Sequence, residues 1–507
     1  MQGSLSTIIV FILYLALMVA IGLVFYSKSK NLSDYFLGGR NLNSWVTAIS
    51  AQASDMSGWL LMGLPAAAYF SGVSASWIAI GLGLGTYLNW KIVASRLRRF
   101  TECYGDSITI PEYLENRFQS KSRALRSVCA VIIFIFFLIY TASAFNAGAK
   151  LFMYVFNTDN YLFALTLGSV IIVSYTFLGG FFAVCWTDLI QGLLMFFAIV
   201  AVPAIAMAHI PDFSLSTLTT IADGNFTNFF ASPAGALSAV SIISSLAWGL
   251  GYFGMPHILT RFMAIKSEDM IKKSRLIAMI WVVVSLAAAV LVGMVGYVYL
   301  TYIGAGYESE AAAETVFMQL VGRLTPGVIA GVLLSAILAA VMSTADSQLL
   351  VTASAVTNDL YQPIFRRDAT DKELMWVSRV TVIVVSVLAY LIAIDPENSV
   401  MGLVSYAWAG FGSAFGPVIL FSLFWKRTTK NGAIAGMIAG GAVVLLWENL
   451  PVLASTGIYS IIPGFAVSTV MVLAFSLLDK EPGEEVLRLY ETAAVKKHKS
   501  DRSHVVL

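Results

Sequence analysis

Apolar runs long enough to cross a bilayer divide almost the whole chain. An α-helix needs about 20 apolar residues to span the hydrocarbon core of a membrane. Thirteen runs of roughly that length lie at 6–26, 45–70, 74–95, 127–155, 161–181, 184–208, 238–262, 276–302, 327–354, 376–394, 399–424, 432–450 and 458–478. Because 58% of the 507 residues are hydrophobic and only 12% are charged, the chain lacks the polar surface of a soluble domain. The sequence predicts an all-α, polytopic membrane protein with thirteen transmembrane helices in the lipid bilayer.

The positions of the basic residues predict the orientation. Of 31 lysines and arginines, 28 fall on one side of the membrane. They occupy the loops 27–44, 96–126, 261–275, 359–379 and 426–430 and the tail 479–507. By the positive-inside rule this side is the cytoplasm, and an odd number of helices puts the termini on opposite sides. We expect a multi-pass cell-membrane protein with the N-terminus outside, the C-terminus inside, and solvated cytoplasmic elements at 105–124 and in the tail.

One carboxylate lies inside the second run. Asp55 sits in the stretch SAQASDMSGWLLMGLP (50–65), and apolar residues flank it on both sides. An ionisable side chain at such a depth is costly and usually marks a working site, whereas an Asp at the membrane end would reach the headgroups. Ser57 and Gly58 weaken the helix beside it. Because broken membrane helices bind small ions and substrates, we predict a helix break and an ion site here.

A second interrupted run lies in the other half of the chain. The stretch WGLGYFGMP (248–256) contains three glycines and a proline. Proline removes a backbone donor and glycine weakens a helix, so this run is expected to break as well. Each of the two interrupted runs is the first of five consecutive apolar runs, which occupy 45–208 and 238–424. Breaks in corresponding helices are typical of inverted-repeat transporters, and a glycine-rich packing face is the alternative for either stretch alone.

Hydroxyl side chains share one face of the ninth run. The face follows the spacing i, i+3, i+4 and i+7 and is made by Ala340, Ser343, Thr344 and Ser347. Hydroxyl and freed carbonyl oxygens on one face suit a hard monovalent cation, to which Asp55 would add the negative charge. Contact between helices is the equally open alternative for such a stripe. Asp346 lies among these residues and favours the functional interpretation.

Two further charged residues have open interpretations. Asp188 lies at the start of the sixth run, where it would either cap the helix at the cytoplasmic surface or contribute to an ion site or gate. Arg40 precedes the second run on the cytoplasmic side. It would either pair with an acid as part of a gate or only fix the topology.

Several classes of protein find no support in the sequence. The basic residues form no continuous patch for nucleic acid. Three cysteines and four histidines offer neither a disulfide framework nor a pair of zinc ligands. An intramembrane enzyme would need paired acids or a motif such as HExxH, and a channel would want a ring of equivalent residues. With no nucleotide-binding loop to drive a pump, we expect a cation-coupled carrier of a small neutral or zwitterionic solute.

Seven motifs resemble one known family in order and spacing. They are DYFLGGR (34–40), SDMSGWLLMGLP (54–65), GG..AVCWTDLIQ (179–191), WGLGYFGMPHIL (248–259), LLSAILAAVMST (333–344), VSYAWAGFGSAFGP (404–417) and WKRTTKNGAIAGM (425–437). On these motifs the whole chain resembles the sodium:solute symporter family. The resemblance implies a five-plus-five inverted-repeat (LeuT-type) core made by helices 2 to 11, with helices 1, 12 and 13 at its periphery.

The resemblance also implies how the chain is divided and what it does. Its segments would be a first helix and loop (1–44), a first repeat (45–208), an extracellular connection (209–237), a second repeat (238–424), two peripheral helices (425–478) and a cytoplasmic tail (479–507). The implied activity is sodium-coupled import of L-proline by alternating access, with Na+ as the coupling ion and no enzymatic step. A sugar or sialic acid is the alternative solute, and a small aromatic pocket without added polar side chains argues against both.

The site residues implied by the resemblance form two sets. The sodium set is Ala53, Asp55, Met56, Ala340, Ser343 and Thr344, with Ala53 and Met56 contributing carbonyls. The proline set is Ser57, Gly58, Tyr140, Trp248, Tyr252 and Pro256. Proline is a zwitterion with an apolar ring, which suits backbone donors at a helix N-terminus together with aromatic faces.

The resemblance leaves a second ion position open. Family members that have one use hydroxyls of the ninth helix together with the acid of the sixth. The corresponding stretch here is Ala345-Asp346-Ser347. Either Asp188, Asp346 and Ser347 form such a site, or Asp346 pairs elsewhere. The expectation is one coupling sodium.

Overall fold

The structure, a computed structural model, describes residues 4–26, 37–120, 122–178, 180–221 and 224–495. Helices make up most of this part of the chain. A short antiparallel hairpin pairs β1 (Ala231–Ser232) with β2 (Gly235–Ala236) between the two predicted repeats. The all-α prediction is therefore confirmed for the described residues.

The described residues form a long succession of α-helices. They are α1 (Leu5–Tyr26), α2 (Ser44–Asp55), α3 (Leu64–Ser71), α4 (Ser76–Leu88), α5 (Ala94–Cys103), α6 (Ile110–Arg117), α7 (Ala124–Phe156), α8 (Tyr161–Leu178), α9 (Phe181–Ala208), α10 (Leu215–Ile221), α11 (Ala239–Leu246), α12 (Pro256–Ala264), α13 (Ile271–Tyr302), α14 (Glu310–Ala313), α15 (Val316–Leu324), α16 (Gly327–Ser354), α17 (Asp371–Ala393), α18 (Val400–Phe424), α19 (Lys430–Asn449), α20 (Pro451–Ala454), α21 (Ile461–Leu478) and α22 (Glu484–Ala494). Turns of other pitch adjoin several of them. The π-helical turns are Trp59–Gly63, Asn89–Val93 and Ala355–Phe365, and the 3₁₀ turns are Gly38–Arg40, Gly72–Ala75, Gly224–Thr227, Ala247–Phe253 and Glu268–Met270.

Length and composition identify the helices that could span a membrane. Within the described residues nine helices qualify, or ten when the pair Ala239–Phe253 and Pro256–Ala264, bent by 44°, is taken as one span. The predicted runs 45–70 and 74–95 share one helical stretch, Trp59–Cys103, because turns of different pitch join them without a loop. A multi-pass architecture is confirmed, and the count of thirteen stays a prediction.

Both predicted helix breaks are present. α2 ends at Asp55, and Met56 takes the non-helical angles φ −85° and ψ 78° before the chain re-enters a helical turn at Trp59. Met255 is extended, with φ −77° and ψ 108°, directly before α12. Pro256 begins α12 at a position where its missing N–H leaves no helical bond unmade. Each break therefore frees backbone groups in the buried interior of the fold.

Small residues allow the interrupted stretches to pack closely against their neighbours. A Cβ at Gly58 would lie 2.8 Å from the Cβ of Ala147, so the first break rests directly on α7. A Cβ at Gly85 on α4 would overlap the carbonyl oxygen of Gly249 in the second interrupted stretch. The glycines of that stretch thus provide close packing as well as a break, so the two interpretations do not exclude each other.

The segment 105–124, which the sequence predicts to be cytoplasmic and solvated, is more ordered than expected. It contains α6, and the side chains of Tyr113 and Arg117 on this helix are buried. Arg117 Nε donates to the backbone carbonyl of Ser422 at 3.0 Å, and its guanidinium lies 4.7 Å from the centre of the Tyr490 ring. The expectation of a solvated element is wrong here, because the arginine folds inward against α18 and the tail.

The tail also packs against the body of the protein. Tyr490 of α22 meets Phe100 of α5 edge-on, with ring centroids 5.5 Å apart, and its hydroxyl lies 3.1 Å from Arg96 Nη2. Residues 496–507 of the predicted tail lie outside the described residues, as do 27–36 of the first loop. The segment boundaries stay predictions.

Candidate functional site

Asp55 ends α2 with its side chain fully buried. Its Oδ2 accepts a hydrogen bond from the Tyr252 hydroxyl at 2.7 Å, so the two helix breaks meet at this carboxylate. Its Oδ1 has no hydrogen-bond partner among the described residues. The backbone carbonyl of Asp55 accepts from the Tyr140 hydroxyl at 3.3 Å and from Trp59 Nε1 at 3.2 Å. A single neutral hydroxyl compensates little of a buried negative charge, so the arrangement favours a cation beside Asp55.

Oxygen atoms of α2 and α16 meet next to the first break. The Ser343 hydroxyl lies 2.8 Å from the Ala53 carbonyl oxygen and 3.2 Å from that of Ala340. The Thr344 hydroxyl is buried and has no partner within the described part of the chain. Carbonyl and hydroxyl oxygens are the ligands that hard cations prefer. The structure thus brings three members of the predicted sodium set together, with Thr344 adjacent in sequence on the same helix.

The unpartnered oxygens test whether this set suits an ion. Asp55 Oδ1 and Thr344 Oγ1 are buried acceptors without a partner among the described residues, and such atoms usually mark an ion or a water molecule. Met56 leaves the helical conformation, which turns its carbonyl away from the helix direction. The residues therefore fit a sodium ion. The observed hydrogen bond of the Asp55 carboxylate runs to Tyr252 rather than to α16.

Aromatic side chains gather at the second break. The Trp248 ring lies 6.4 Å from that of Trp59 and stacks on Tyr459 at 5.2 Å. Tyr252 meets Trp408 edge-on at 5.0 Å, and Trp408 Nε1 donates to the Trp248 carbonyl at 2.7 Å. Three of these residues, Trp59, Trp408 and Tyr459, are not among the predicted site residues. A signal exists for Trp59 and Trp408, which lie inside two of the seven motifs, but not for Tyr459.

The predicted proline set lies on both sides of the first break. Ser57 and Gly58 form the break itself, and the aromatic members surround it. Pro256 instead lines a separate cavity of about 20 Å³. A larger cleft of about 450 Å³ is lined by Trp248, Tyr459 and the acids Glu310, Glu314 and Glu448, among others. Aromatic residues of the second break therefore border the larger cleft, whereas Pro256 borders the small cavity.

Arg261 is a buried arginine beside the second break. The sequence analysis assigns it to the cytoplasmic loop 261–275, but the structure places it in the last turn of α12, fully buried. The assignment is wrong because the helix continues to Ala264. A signal was available, since residue 261 also falls within the predicted run 238–262, where a charge is unexpected. Without Arg261, 27 of the 31 lysines and arginines remain in the loops and tail of that side, so the predicted orientation is unchanged.

The Arg261 guanidinium joins three other helices. It donates to Ser50 on α2 at 3.1 Å, to Asp188 on α9 at 3.1 Å and to Ser347 on α16 at 2.6 Å. Ser50 also donates to Asp188 at 2.7 Å, and the Ser347 hydroxyl lies 3.3 Å from the Asp346 carboxylate. Asp188, Asp346 and Ser347, the residues considered for a second ion, thus lie together around the guanidinium of Arg261.

The two carboxylates of this cluster are incompletely compensated. Asp188 pairs with the Arg261 guanidinium and Asp346 is linked to it through the Ser347 hydroxyl, while Asp188 Oδ1 and Asp346 Oδ2 have no partner among the described residues. The helix-cap interpretation of Asp188 is wrong, because α9 begins about two turns earlier, at Phe181. Asp188 is therefore an interior charge, and its environment depends on Arg261.

Arg40 fastens the segment before α2 to two other elements. Its Nε lies 2.7 Å from the Asp106 carboxylate, and Nη2 donates to the Ser107 carbonyl at 2.9 Å. Nη1 donates to the carbonyl of Met263 in α12 at 2.7 Å. Arg40 thus makes the acid pairing that the gating interpretation requires. Its role in a gate stays a prediction.

Known proteins share both the sequence and the fold. The profile of the Sodium:solute symporter family matches residues 35–440. The Sodium/proline symporter of Escherichia coli (strain K12) is 47% identical over 506 residues, covering 100% of this chain and 99% of that protein. The High-affinity proline transporter PutP of Bacillus subtilis (strain 168) is 47% identical, covering 92% and 97%. A structure of a Na+-coupled sialic acid symporter, 21% identical, superposes with a TM-score of 0.80 over 95% of this chain and 100% of its own, which confirms the transporter fold. The chain belongs to the sodium:solute symporter family.

Proposed function

We propose that the protein imports L-proline together with sodium across the cell membrane by alternating access. The observation that carries the proposal is the buried Asp55 carboxylate, which joins the two helix breaks through Tyr252 and keeps one oxygen without a partner among the described residues. A cation held there would order the broken segment that receives the solute, and this ordering is a direct route to coupling. Proline as the solute is supported by the two proline-transporting relatives, each 47% identical to this chain.

The proposed sodium site is built from uncharged oxygens and one carboxylate. Its ligands are Ala53, Met56, Ala340, Ser343 and Thr344, with the Asp55 carboxylate beside them. A single negative charge is neutralised by a monovalent ion, whereas a divalent ion would leave a buried positive charge. The Ser343 hydroxyl already lies within hydrogen-bond distance of two of the proposed carbonyl ligands, so little movement is needed to form the site.

The proposed proline site uses the break for the charged groups of the solute and the aromatic residues for its ring. The carboxylate would meet backbone N–H groups where the chain re-enters a helix after Ser57 and Gly58. The ring would pack on Tyr140, Trp248 and Tyr252. A sugar or sialic acid would require several polar partners for its hydroxyls, and the side chains around this break are aromatic.

We also propose a single coupling sodium. Arg261 already supplies a positive charge to Asp188, Asp346 and Ser347, where a second ion would otherwise lie. These residues would then hold α2, α9, α12 and α16 together during transport. Arg40 would close the cytoplasmic end through its contact with α12.

A reporter enzyme that is active only in the cytoplasm tests the proposed orientation. Fused after Lys273 or Arg427 it should be active, because both residues lie among the basic segments, and fused after Glu310 it should be inactive. Lys273 lies in the first turn of α13 and Arg427 between α18 and α19. Reporter activity in intact cells, divided by the amount of fusion protein, gives the answer. The reverse pattern would place the N-terminus in the cytoplasm.

Replacing Trp248 by alanine should raise the proline concentration for half-maximal uptake by about tenfold or more, because burial of one large ring is worth about 1.5–3 kcal/mol. The half-maximal sodium concentration should change far less.

Tyr252→Ala should change both half-maximal concentrations, since the Tyr252 hydroxyl bonds Asp55. Tyr252→Phe removes the hydroxyl alone and so shows how much of this change the hydroxyl causes. Trp77→Ala is the control, because this ring packs on Phe230, at the hairpin. If both alanine variants keep the half-maximal proline concentration of the parent, the proline pocket lies elsewhere.

Uptake of labelled solutes into proteoliposomes tests the function as a whole. With an inward sodium gradient we expect saturable uptake of L-proline, and without sodium we expect little. The panel should include other amino acids, a sugar and sialic acid. Sodium-driven uptake of one of these solutes in place of proline would show that the proposed solute is wrong. Equal proline uptake with and without sodium would show that transport is not coupled to sodium.

A further inference from the structure

A small cavity lies beyond the second break, on the side that the predicted topology assigns to the cytoplasm. Its volume of about 20 Å³ is enough for one water molecule or one dehydrated monovalent cation. Polar residues of its lining come from three elements: Thr109 caps α6, Thr260 belongs to α12, and Ser354 and Asp359 lie at the end of α16 and in the turn after it. Pro256, the first residue after the break, also lines the cavity. The cavity thus begins at the second break.

Two side-chain oxygens of this lining are unsatisfied. The Ser354 hydroxyl and Asp359 Oδ2 have no partner among the described residues, although Asp359 is fully buried and Ser354 is only 6% exposed. The other carboxylate oxygen, Oδ1, accepts from the Thr109 hydroxyl at 3.1 Å and from Arg126 Nε at 2.7 Å. The carboxylate is therefore held in place by one oxygen, and the second is available to a ligand.

The charge around the cavity favours a cation over water. Arg126 is shared among three carboxylates, since its other nitrogens lie 3.4 Å from Glu112 and 3.2 Å from Glu115 in addition to the pair with Asp359. Arg123 also acts on Glu115. Within this cluster, three carboxylates and two guanidiniums leave one negative charge. A monovalent cation in the cavity would neutralise it.

One face of α16 connects this cavity with the proposed sodium ligands. Thr344, Ser347, Val351 and Ser354 follow at i, i+3, i+7 and i+10, so they lie on one side of the helix. At 1.5 Å per residue, Ser354 is about 15 Å from Thr344 along the axis. The cavity therefore lies on the same side of α16 as Thr344, nearer the end that the predicted topology assigns to the cytoplasm.

We propose that the cavity is a transient cation site, the last position that the coupling sodium occupies before it enters the cytoplasm. The proposal rests on the proposed sodium-coupled transport and adds a second, separate position to it. Its ligands are Asp359 Oδ2, the Ser354 hydroxyl and the Thr109 hydroxyl. Because these atoms lie about 15 Å from the first site, the site sets the apparent affinity for sodium on the cytoplasmic side without changing it on the outer side.

Thallium(I), an electron-dense monovalent cation, locates such a site directly. In crystals of the full chain soaked in a thallium salt, anomalous scattering should give one peak near Ser343 and a second among Thr109, Ser354 and Asp359. The second peak should be absent from Asp359→Asn, which keeps the shape of the side chain and loses its charge. A peak near Ser343 with none in the cavity of the parent protein would overturn the proposal and assign the cavity to water.

Transport from the two sides provides an independent test. In proteoliposomes of one orientation, Asp359→Asn should raise the cytoplasmic-side sodium concentration for half-maximal proline efflux by about tenfold. The outer-side concentration for half-maximal uptake should stay within about twofold of that of the parent, which also shows that the variant is folded. Ser354→Ala should have a smaller effect of the same kind. Glu115→Gln should also have a smaller effect, because it removes a charge from the same arginine but no ligand from the cavity lining.

The outcomes separate this proposal from the proposed function. A parent protein with no sodium-dependent proline transport would overturn the proposed function. A parent that transports normally, with Asp359→Asn unchanged on both sides or changed equally on both, would overturn only the inner site.

Discussion

Asp55→Asn is expected to abolish the sodium enhancement of proline binding while the protein still reaches the membrane. Asparagine keeps the shape of the side chain and can still accept the hydrogen bond that Tyr252 donates at 2.7 Å. It removes the negative charge that favours a cation next to the first break. Thermodynamic linkage requires sodium and proline to raise each other's affinity by one common factor, typically about 5-fold to 150-fold. We expect this whole factor to be lost.

Equilibrium binding of labelled proline to purified protein, with and without sodium, measures that factor. Tyr252→Phe is the matched control, because it removes the hydroxyl that contacts Asp55 and leaves the carboxylate. It should retain a clear sodium enhancement. An Asp55→Asn protein that keeps the full enhancement of the parent would place the coupling ion elsewhere, with Asp188 and Asp346 as the next candidates.

The helix breaks could be predicted from the sequence because their causes are local. Ser57 and Gly58 weaken the ladder in which they lie, and Pro256 cannot donate to it. The spacing of Ala340, Ser343 and Ser347 likewise predicts that they share one face of α16, since helical periodicity decides which residues lie together. The structure agrees with the sequence wherever a residue's own backbone or its near neighbours determine the outcome.

Contacts between distant parts of the chain could not be predicted in this way. Tyr252 donates to a carboxylate 197 positions away, and Tyr459 stacks on Trp248 although it lies in none of the recognised motifs. The sequence places Arg261 in a loop because composition alone does not locate a helix end within a few residues. Its partner Asp188 lies 73 positions earlier in the chain, which no local pattern indicates.

The number of spans shows the same limit. Hydropathy separates the runs 45–70 and 74–95, yet from Trp59 onward the structure joins them as helical turns of changing pitch. Gly72, with φ +63°, lies between them and allows the chain to change direction without a loop. The number of spans therefore depends on whether apolar runs or continuous helices are counted, because these helices are joined without a loop.

Arg261→Gln is expected to lower the stability of the purified protein strongly, because it leaves Asp188 and Asp346 buried without their cation. Removing one partner of a buried ion pair typically costs about 3–5 kcal/mol. Adding Asp188→Asn to this variant removes one of the two uncompensated charges, so the double variant should unfold at a higher temperature than the single variant. Arg323→Gln is the control, since that exposed side chain should contribute within about 0.5 kcal/mol.

Sodium provides the sharper test of the same arginine. If Arg261 supplies the charge that a second ion would bring, the place vacated in Arg261→Gln should become a sodium site formed by Asp188, Asp346 and Ser347. Sodium should then raise the unfolding temperature of this variant more than that of the parent, since a ligand that binds only the folded state stabilises it. The Hill coefficient for sodium-dependent proline binding should rise above one. A parent protein that already requires two sodium ions, or a double variant no more stable than the single one, would show that the guanidinium does not take the place of an ion.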